Sequence, residues 1–244
     1  MSIAADVYSD EVARTETIDF GSVRGLLVER YDRHVENGKV SRIHQEDFCQ
    51  ALGIPREFKY QRDGKLGRLF SAKAVRQVLS HSATPATARL RFLEAALLNM
   101  ALGNTDNHAK NHALLYKGGM PEFAPLYDIV PVLLDRTVSH EFSILIGNAE
   151  TYDDLEKMDL YRFAEDIGIP VERKVAIERV SKLASDLFGR VAGELGRCSG
   201  PRLGLVGDMI ADCLERMNEA SELGVEVPER DAFLIRGGAF DLLS

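Results

Sequence analysis

From residue 84 to 102 apolar side chains return at helical spacing, with Leu90, Leu93, Leu97 and Leu98 on one face, so the pattern predicts a long, largely buried helix. A shorter helix is expected over 69–80. Beyond Asp154 the pattern is helical again. Leu155 to Ile167 stops at Gly168-Ile169-Pro170, Val171 to Leu195 carries Val175, Ile177, Val180, Leu183, Ala184, Leu187 and Val191, and Leu205 to Leu223 forms a last amphipathic helix. The first part of the chain reads differently. Thr15 to Phe20 and Val23 to Tyr31 are extended runs around Gly21-Ser22, which predicts a hairpin. Ser41-Arg42-Ile43 is a short extended piece, and His44 to Gly53 reads as a short helix with Phe48 and Leu52 on one face, Gly53 as its stop and Pro55 beyond. Ala113 to Tyr116 is a strand ahead of the Gly118-Gly119 turn.

The remaining stretches carry weaker signals. Met1 to Asp10 is acidic and small and is expected to fray or to be the stub of something longer. Arg56 to Leu69 is basic and glycine-punctuated, a solvated loop, and 137–146 is a strand pair or an irregular segment. Gly196 to Gly204 reads as a linker, and Ala232 to Ser244 has no assigned structure. The whole is α+β and mainly helical, divided as 1–40, 41–150 and 151–244.

Composition narrows the classes. With 244 residues and 45% hydrophobic content the chain can bury a substantial core. A net charge of -8 gives no reason to expect direct binding of nucleic acid or of an anionic membrane. Arg173, Arg179 and Arg190 are spread among acids, which suits solvated positions. Cys49, Cys198 and Cys213 show no paired spacing and read as reduced thiols. No apolar run approaches the ~18 residues of a membrane span, and no basic-apolar leader opens the chain. A cytoplasmic protein is expected.

The polar chemistry is concentrated between two apolar runs, in Leu102-Gly103-Asn104-Thr105-Asp106-Asn107-His108-Ala109-Lys110-Asn111-His112. An unpaired polar group in an interior costs about 1–3 kcal/mol, so packing alone does not account for such density. Asp106 and Asn111 stand at the interval found in the catalytic loop of protein kinases, and Asp128 follows the next strand, where a second metal-binding acid would fall. Phosphoryl transfer needs this set: oxygen ligands for hard Mg²⁺ ions and one carboxylate near the nucleophile. His108 and His112, four apart, could form a zinc pair, but no acidic base lies between them as in the zincin helix, which ranks a metal-dependent hydrolase below a kinase. Taken alone, the end of the 23–31 strand is an ordinary edge strand or the hinge of a nucleotide site. His140, Glu141 and Ser143 are given no role.

Several of these motifs, in order, carry a family resemblance. Val28-Glu29-Arg30-Tyr31-Asp32-Arg33, His44-Gln45-Glu46-Asp47-Phe48-Cys49-Gln50, Lys59-Tyr60, Asn104 to Asn111 and Leu126-Tyr127-Asp128-Ile129 together resemble the HipA toxin family, bacterial serine/threonine kinases of toxin–antitoxin modules. The likeness runs from about Val12 through most of the chain. It implies a protein-kinase-like C-terminal lobe with a residual N-terminal β-hairpin and hinge, using ATP and Mg²⁺ to phosphorylate a protein serine or threonine. By the resemblance Asp106 would be the catalytic base, and Asn111 and Asp128 the Mg²⁺ ligands. Glu29, Arg30 and Tyr31 would form the adenine hinge, and His108, Lys110, Tyr127 and Asp128 would line the nucleotide site. Gln45 and Gln50 would hold the hinge loop. A HipB-like antitoxin would be a partner, with DNA reached only through it.

The sequence departs from the family at one point. Members carry a phosphate-covering loop and an ATP-binding lysine ahead of the hinge, yet the first lysine here is Lys39 and no glycine-rich loop precedes Thr15. Three accounts remain open: a fragment of a kinase, a split enzyme whose N-terminal lobe is a separate subunit, or a catalytically dead pseudokinase that serves as a binding module. The split enzyme would leave apolar surface exposed near residues 12–31.

Overall fold

A computed structural model of the chain describes residues 1–8, 11–65, 67–170, 174–197 and 204–228. The tail at 232–244, most of the linker at 196–204, and Arg173 and Cys198 lie outside the described residues. The elements run α1 (Ser2–Tyr8), β1 (Thr15–Phe20), β2 (Val23–Val28), β3 (Arg33–Glu36), β4 (Lys39–Arg42), β5 (His44–Asp47), α2 (Phe48–Ala51), α3 (Ala72–Leu79), α4 (Pro85–Ala101), β6 (Ala113–Tyr116), β7 (Glu122–Phe123), α5 (Asp159–Asp166), α6 (Lys174–Arg197) and α7 (Gly204–Ser221).

Helix α4 is the centre of the packing. Pro85 opens it at a position where a missing N–H costs nothing. Its first turns are largely exposed, so Leu90, expected on the buried face, is exposed instead. From Phe92 onward the helix enters the core, with Leu93, Leu97 and Leu98 almost fully buried and α3, α6 and α7 packed around it. Each such side chain contributes about 1.5–3 kcal/mol of transfer free energy.

The amino terminus corrects the expectation of fraying. Residues 2–8 form α1, which buries Ile3, Ala4, Val7 and Tyr8 and packs on α6. Seven residues are too few to hold a helix in water, so docking on α6 stabilises it.

The β-structure is three small sheets. The β1–β2 hairpin has the register Thr15↔Val28 to Phe20↔Val23, as its sequence predicted. Phe20, Val23, Leu26, Leu27 and Val28 on it are exposed, an unusual number of bare apolar side chains for one ribbon. Next comes a hairpin the sequence reading did not separate: β3 and β4 pair around Asn37 (φ 49°) and Gly38 (φ 75°), the positive-φ pair of a type I′ turn. The third sheet, β5–β6–β7, is antiparallel, with His44 opposite Tyr116 and Asp47 opposite Ala113. Residues 44–47 are therefore strand, not the first turn of a helix, and only Phe48–Ala51 is helical. Asp47 starts that helix with a capping box, accepting from the Gln50 N–H at 3.0 Å while Gln50 Oε1 accepts from the Asp47 N–H at 2.9 Å. Residues 56–69 include two 3₁₀ turns, at Arg56–Phe58 and Gln61–Asp63, and 137–146 is irregular.

Candidate functional site

The polar loop begins where α4 stops. Gly103 takes φ 67°, its N–H bonds the Met100 carbonyl at 3.0 Å, and the Asn104 N–H bonds the Asn99 carbonyl at 2.8 Å. This pair of bonds is a Schellman cap. Glycine is required twice over, because a Cβ here would lie 2.6 Å from Sδ of Met209 on α7. The cap turns the chain sharply and presents Asn104 to Asn111.

Asn104 is buried and ties both acids of the site to one side chain. Its Oδ1 accepts from the Asp106 N–H at 3.2 Å, and its Nδ2 donates to the Asp128 carbonyl at 3.3 Å and to Asn99 Oδ1 at 2.7 Å. Sequence reading placed Asn104 in the motif but gave it no role. Its signal was its type: a buried amide can serve several backbone partners at once. Asn111, also buried, donates its Nδ2 to the Asp106 carbonyl at 3.0 Å, which fixes the loop across the interval between the two residues. The Asp106 carboxylate accepts from the Tyr60 hydroxyl at 2.6 Å through Oδ1. Burial, followed by the bond to Asp106, pushes the Tyr60 phenol well above its usual range, so Tyr60 remains a donor.

Tyr60 is itself held firmly. Its ring meets the edge of His108 at 5.3 Å, and Arg62 and Lys59 lie over it at 4.2 and 4.7 Å. The flanking backbone is bonded on both sides, with Ala109 N–H to the Lys59 carbonyl at 3.0 Å and Gln61 N–H to the Ser143 carbonyl at 2.8 Å. Ser143 in turn donates its hydroxyl to the Thr105 carbonyl at 2.7 Å. Residues 59–62 of this stretch thus border the polar loop, where a solvated loop was expected.

Asp128 is exposed at the end of a short parallel bridge in which Leu126 exchanges backbone bonds with Glu11 and Ala13. Its φ is 59°, a left-handed conformation that aspartate tolerates better than branched residues, at a cost of about 1 kcal/mol. Tyr127, beside it, donates to the Lys110 carbonyl at 2.5 Å, and its ring is 6.0 Å from that of Tyr31. Burial raises both phenols, that of Tyr31 to about 12. The Lys110 ammonium pairs with Asp47 at 2.5 Å.

In the 29–31 segment, the Arg30 side chain is bonded to Asp32. Its guanidinium grips Asp32 at 2.6–2.7 Å, Arg33 adds a second contact, and the Asp32 carbonyl accepts from the Ile43 N–H at 2.9 Å. These bonds, Arg30 foremost, hold the Asp32 carboxyl down at about 2. Glu29 is exposed, and its N–H bonds the Arg14 carbonyl. The structure therefore groups Tyr31, Tyr127 and Lys110 with the polar loop, while the Arg30 side chain is spent on Asp32.

The two histidines do not form a metal pair. His112 is packed among Phe48, Phe70, Phe92 and Phe123, and its pKa falls to about 3 through burial and the nearby His108, against the pull of the Asn107 backbone. His108 is also shifted down, by burial first, despite Asp106 nearby. Among the described residues no three His, Cys, Asp or Glu side chains come together as a metal cage. Polar capacity is nevertheless left over at the site, since His108 Nδ1 and Thr105 Oγ1 are buried without partners. No described helix is long and apolar enough to cross a membrane.

The chain is 37% identical over 201 residues to the putative kinase Y4mE of Sinorhizobium fredii, a match covering 77% of the chain and 47% of that protein. It is 29% identical over 191 residues to the serine/threonine-protein kinase toxin HipA of Shewanella oneidensis, covering 74% and 43%. Among solved structures, the Shewanella oneidensis HipA–HipB–operator DNA complex contains a chain that matches at TM-score 0.72 and 25% identity, over 91% of this chain and 54% of that one. The chain thus spans about half the length of these relatives. Residues 1–190 match the model of the HipA-like C-terminal domain, and the chain belongs to that family.

Proposed function

We propose that this chain is the kinase-like C-terminal lobe of a HipA-type toxin, and that it supports ATP- and Mg²⁺-dependent phosphorylation of a protein serine or threonine. The observation that carries the reading is the bonding of Asp106, Asn111 and Asp128 into one unit, through Asn104 on one side and the Asn111 amide on the other. Its chemistry suits magnesium, which is usually held by one or two carboxylates together with substrate phosphates rather than by an all-protein cage. Asn111 spends its N–H on the Asp106 carbonyl and keeps its oxygen as a ligand, and Asp128 offers an exposed carboxylate. The bound nucleotide and metal supply the phosphoryl group and neutralise its charge. Asp106 accepts the proton of the acceptor hydroxyl, Tyr60 steadies that carboxylate, and residues 29–31 with His108, Lys110 and Tyr127 border the nucleotide.

Calorimetry tests this directly. Wild type binds ATP only with Mg²⁺, Asp128→Ala loses that metal-dependent binding, and Asp106→Asn retains it while losing transfer. Binding that ignores Asp128, or loss of both properties in Asp106→Asn, would overturn the assignment.

A second reading has its own support. The exposed apolar side chains of β1–β2 suit coverage by an N-terminal lobe, of which a separate subunit is one source, with this chain as the binding partner. The HipB in the neighbouring structure suggests an antitoxin as a further partner, through which DNA would be reached. Restoration of transfer on adding a relative's N-terminal half, with none from the chain alone, would favour a kinase fragment or a split enzyme; no transfer in either case would favour a pseudokinase.

A further inference from the structure

Ser143, to which the sequence reading assigns no role, is buried between the stretches that carry Tyr60 and Asp106. It is bonded to both. Its hydroxyl and its N–H donate to the Thr105 carbonyl at 2.7 and 3.1 Å, and its carbonyl accepts from the Gln61 N–H at 2.8 Å. Thr105 directly precedes Asp106, Gln61 directly follows Tyr60, and the Tyr60 hydroxyl returns to Asp106 Oδ1 at 2.6 Å. These links form a closed ring through three stretches of chain, running from Asp106 to Tyr60, Gln61, Ser143, Thr105 and back. We propose that Ser143 is a positioning residue for phosphoryl transfer, its hydroxyl closing this ring and so holding the Asp106 carboxylate in register with Tyr60. The proposal rests on Asp106 being the base.

The stretch that carries Ser143 is anchored from outside the ring. Phe142, Ile144 and Ile146, at every second position, belong to the core. The Phe142 ring meets that of Tyr152 at 4.8 Å, and the Tyr152 hydroxyl donates to the Met100 carbonyl, in the last turn of α4, at 2.5 Å. The Phe142 N–H is bonded to the Glu150 carbonyl at 2.7 Å. Between these core positions Ser143 and Leu145 make the polar contacts, and the Leu145 N–H adds a second link to the Tyr60 stretch by donating to Gln61 Oε1 at 3.0 Å. Tyr60 and Asp106 are thereby referred to one fixed strut and not merely to each other.

The chemistry of the contact explains why a hydroxyl matters there. A carbonyl oxygen has two lone pairs, and Ser143 supplies a donor to each. Alanine would keep the N–H bond, so no buried carbonyl is stranded and the fold should stand. What is lost is the shorter of the two bonds, and with it the restraint on the peptide that leads into Asp106. A base displaced by about 1 Å can cost about 100-fold in rate, so even partial slack is read in turnover. Among the described residues Ser143 bonds none of those proposed for the nucleotide, which leaves nucleotide affinity outside its reach.

The test compares wild type, Ser143→Ala, Tyr60→Phe and the double variant. Phosphate release from Mg²⁺-ATP is measured with the N-terminal half of a relative supplied, and amide exchange is followed by mass spectrometry on the chain alone. Ser143→Ala should lower kcat about threefold to tenfold, the change one hydrogen bond of ordinary strength supports, with KM for Mg²⁺-ATP unchanged. A ring already opened at one link loses little more at a second, so the double variant should fall within about twofold of Tyr60→Phe. Exchange in Ser143→Ala should quicken several-fold over 59–63 and 104–108 while α4 and α7 keep wild-type rates. An unchanged kcat, a rise in KM in place of the fall in kcat, losses that multiply in the double variant, or unchanged exchange in both stretches would each overturn the assignment. Absence of turnover in wild type is a separate result that counts against the kinase reading, and the exchange rates alone then decide whether the ring restrains the two stretches.

Discussion

The hydroxyl of Tyr60 donates to Oδ1 of Asp106 across 46 positions of sequence, at 2.6 Å. It belongs to a segment bonded on one side to Ala109 of the polar loop and on the other to Ser143, so the orientation of the carboxylate is fixed. Tyr60→Phe keeps the ring and its contacts with His108 and Arg62 and removes only the donor. Transfer by the chain with its N-terminal half supplied should fall about tenfold, the equivalent of one lost hydrogen bond of about 1.4 kcal/mol, while Mg²⁺-ATP affinity holds. An unchanged turnover number would show that the bond is incidental.

Asn104→Ala should harm both stability and binding. It removes three bonds made by a buried amide and leaves the Asp106 N–H and the Asp128 carbonyl without that partner, at a cost of about 1–3 kcal/mol. Denaturant unfolding reads the first effect and calorimetry with Mg²⁺-ATP the second. Weaker nucleotide binding at unchanged stability would mean that Asn104 meets the ligand instead of bracing the acids.

Asp128 allows backbone and carboxylate to be separated. Glycine accepts φ 59° without strain, so Asp128→Gly should stay within about 1 kcal/mol of wild-type stability, whereas Asp128→Ala keeps the strain and loses any local compensation. Both variants should lose metal-dependent nucleotide binding. Retention in the glycine variant would remove Asp128 from the metal set.

His112 gives the fold an acid-sensitive point. Its folded pKa, about 3, lies below the 6.5 of an unfolded histidine, so the unfolded chain binds more protons between those values and stability is lost as pH falls through that window. For this group alone the loss from pH 7 to pH 5 is about 2 kcal/mol, and the depressed pKa of His108 acts in the same direction. Urea unfolding across this range should show the slope in wild type and a shallower one in His112→Leu.

Gly103→Ala tests the cap that launches the loop. The new methyl would meet both a left-handed backbone and Met209, so a loss above 1 kcal/mol, at about the scale of strained glycine replacements, should appear in thermal unfolding.

Much of this was legible in the residues. The β1–β2 hairpin, α4 and its glycine stop, β6 and the helical last third followed from periodicity and punctuation, because those signals are local. The helix α1 escaped because its apolar residues Ile3, Ala4, Val7 and Tyr8 are too few to argue for a helix without α6 to receive them. The β3–β4 turn did carry its signal, Asn37-Gly38, but only Val35 and Val40 mark the strands beside it, and both are exposed. Strand β5 pairs with β6 some 70 positions away, and nothing in four polar residues announces so distant a neighbour. In the polar loop the density of chemistry was plain from the sequence. The coupling of Asn104 to both acids and of Tyr60 to one of them depends on the closure of the chain over long intervals, which spacing alone does not contain.

Asp32, hidden at 1% exposure between two guanidiniums and bonded through its carbonyl to Ile43, pins the turn that follows residues 29–31. Immobilising a residue's backbone costs about 1–2 kcal/mol, and here folding has already met that cost. Whatever settles against this stretch docks on a rigid ledge, and its affinity is spared the entropic toll of freezing a loose one.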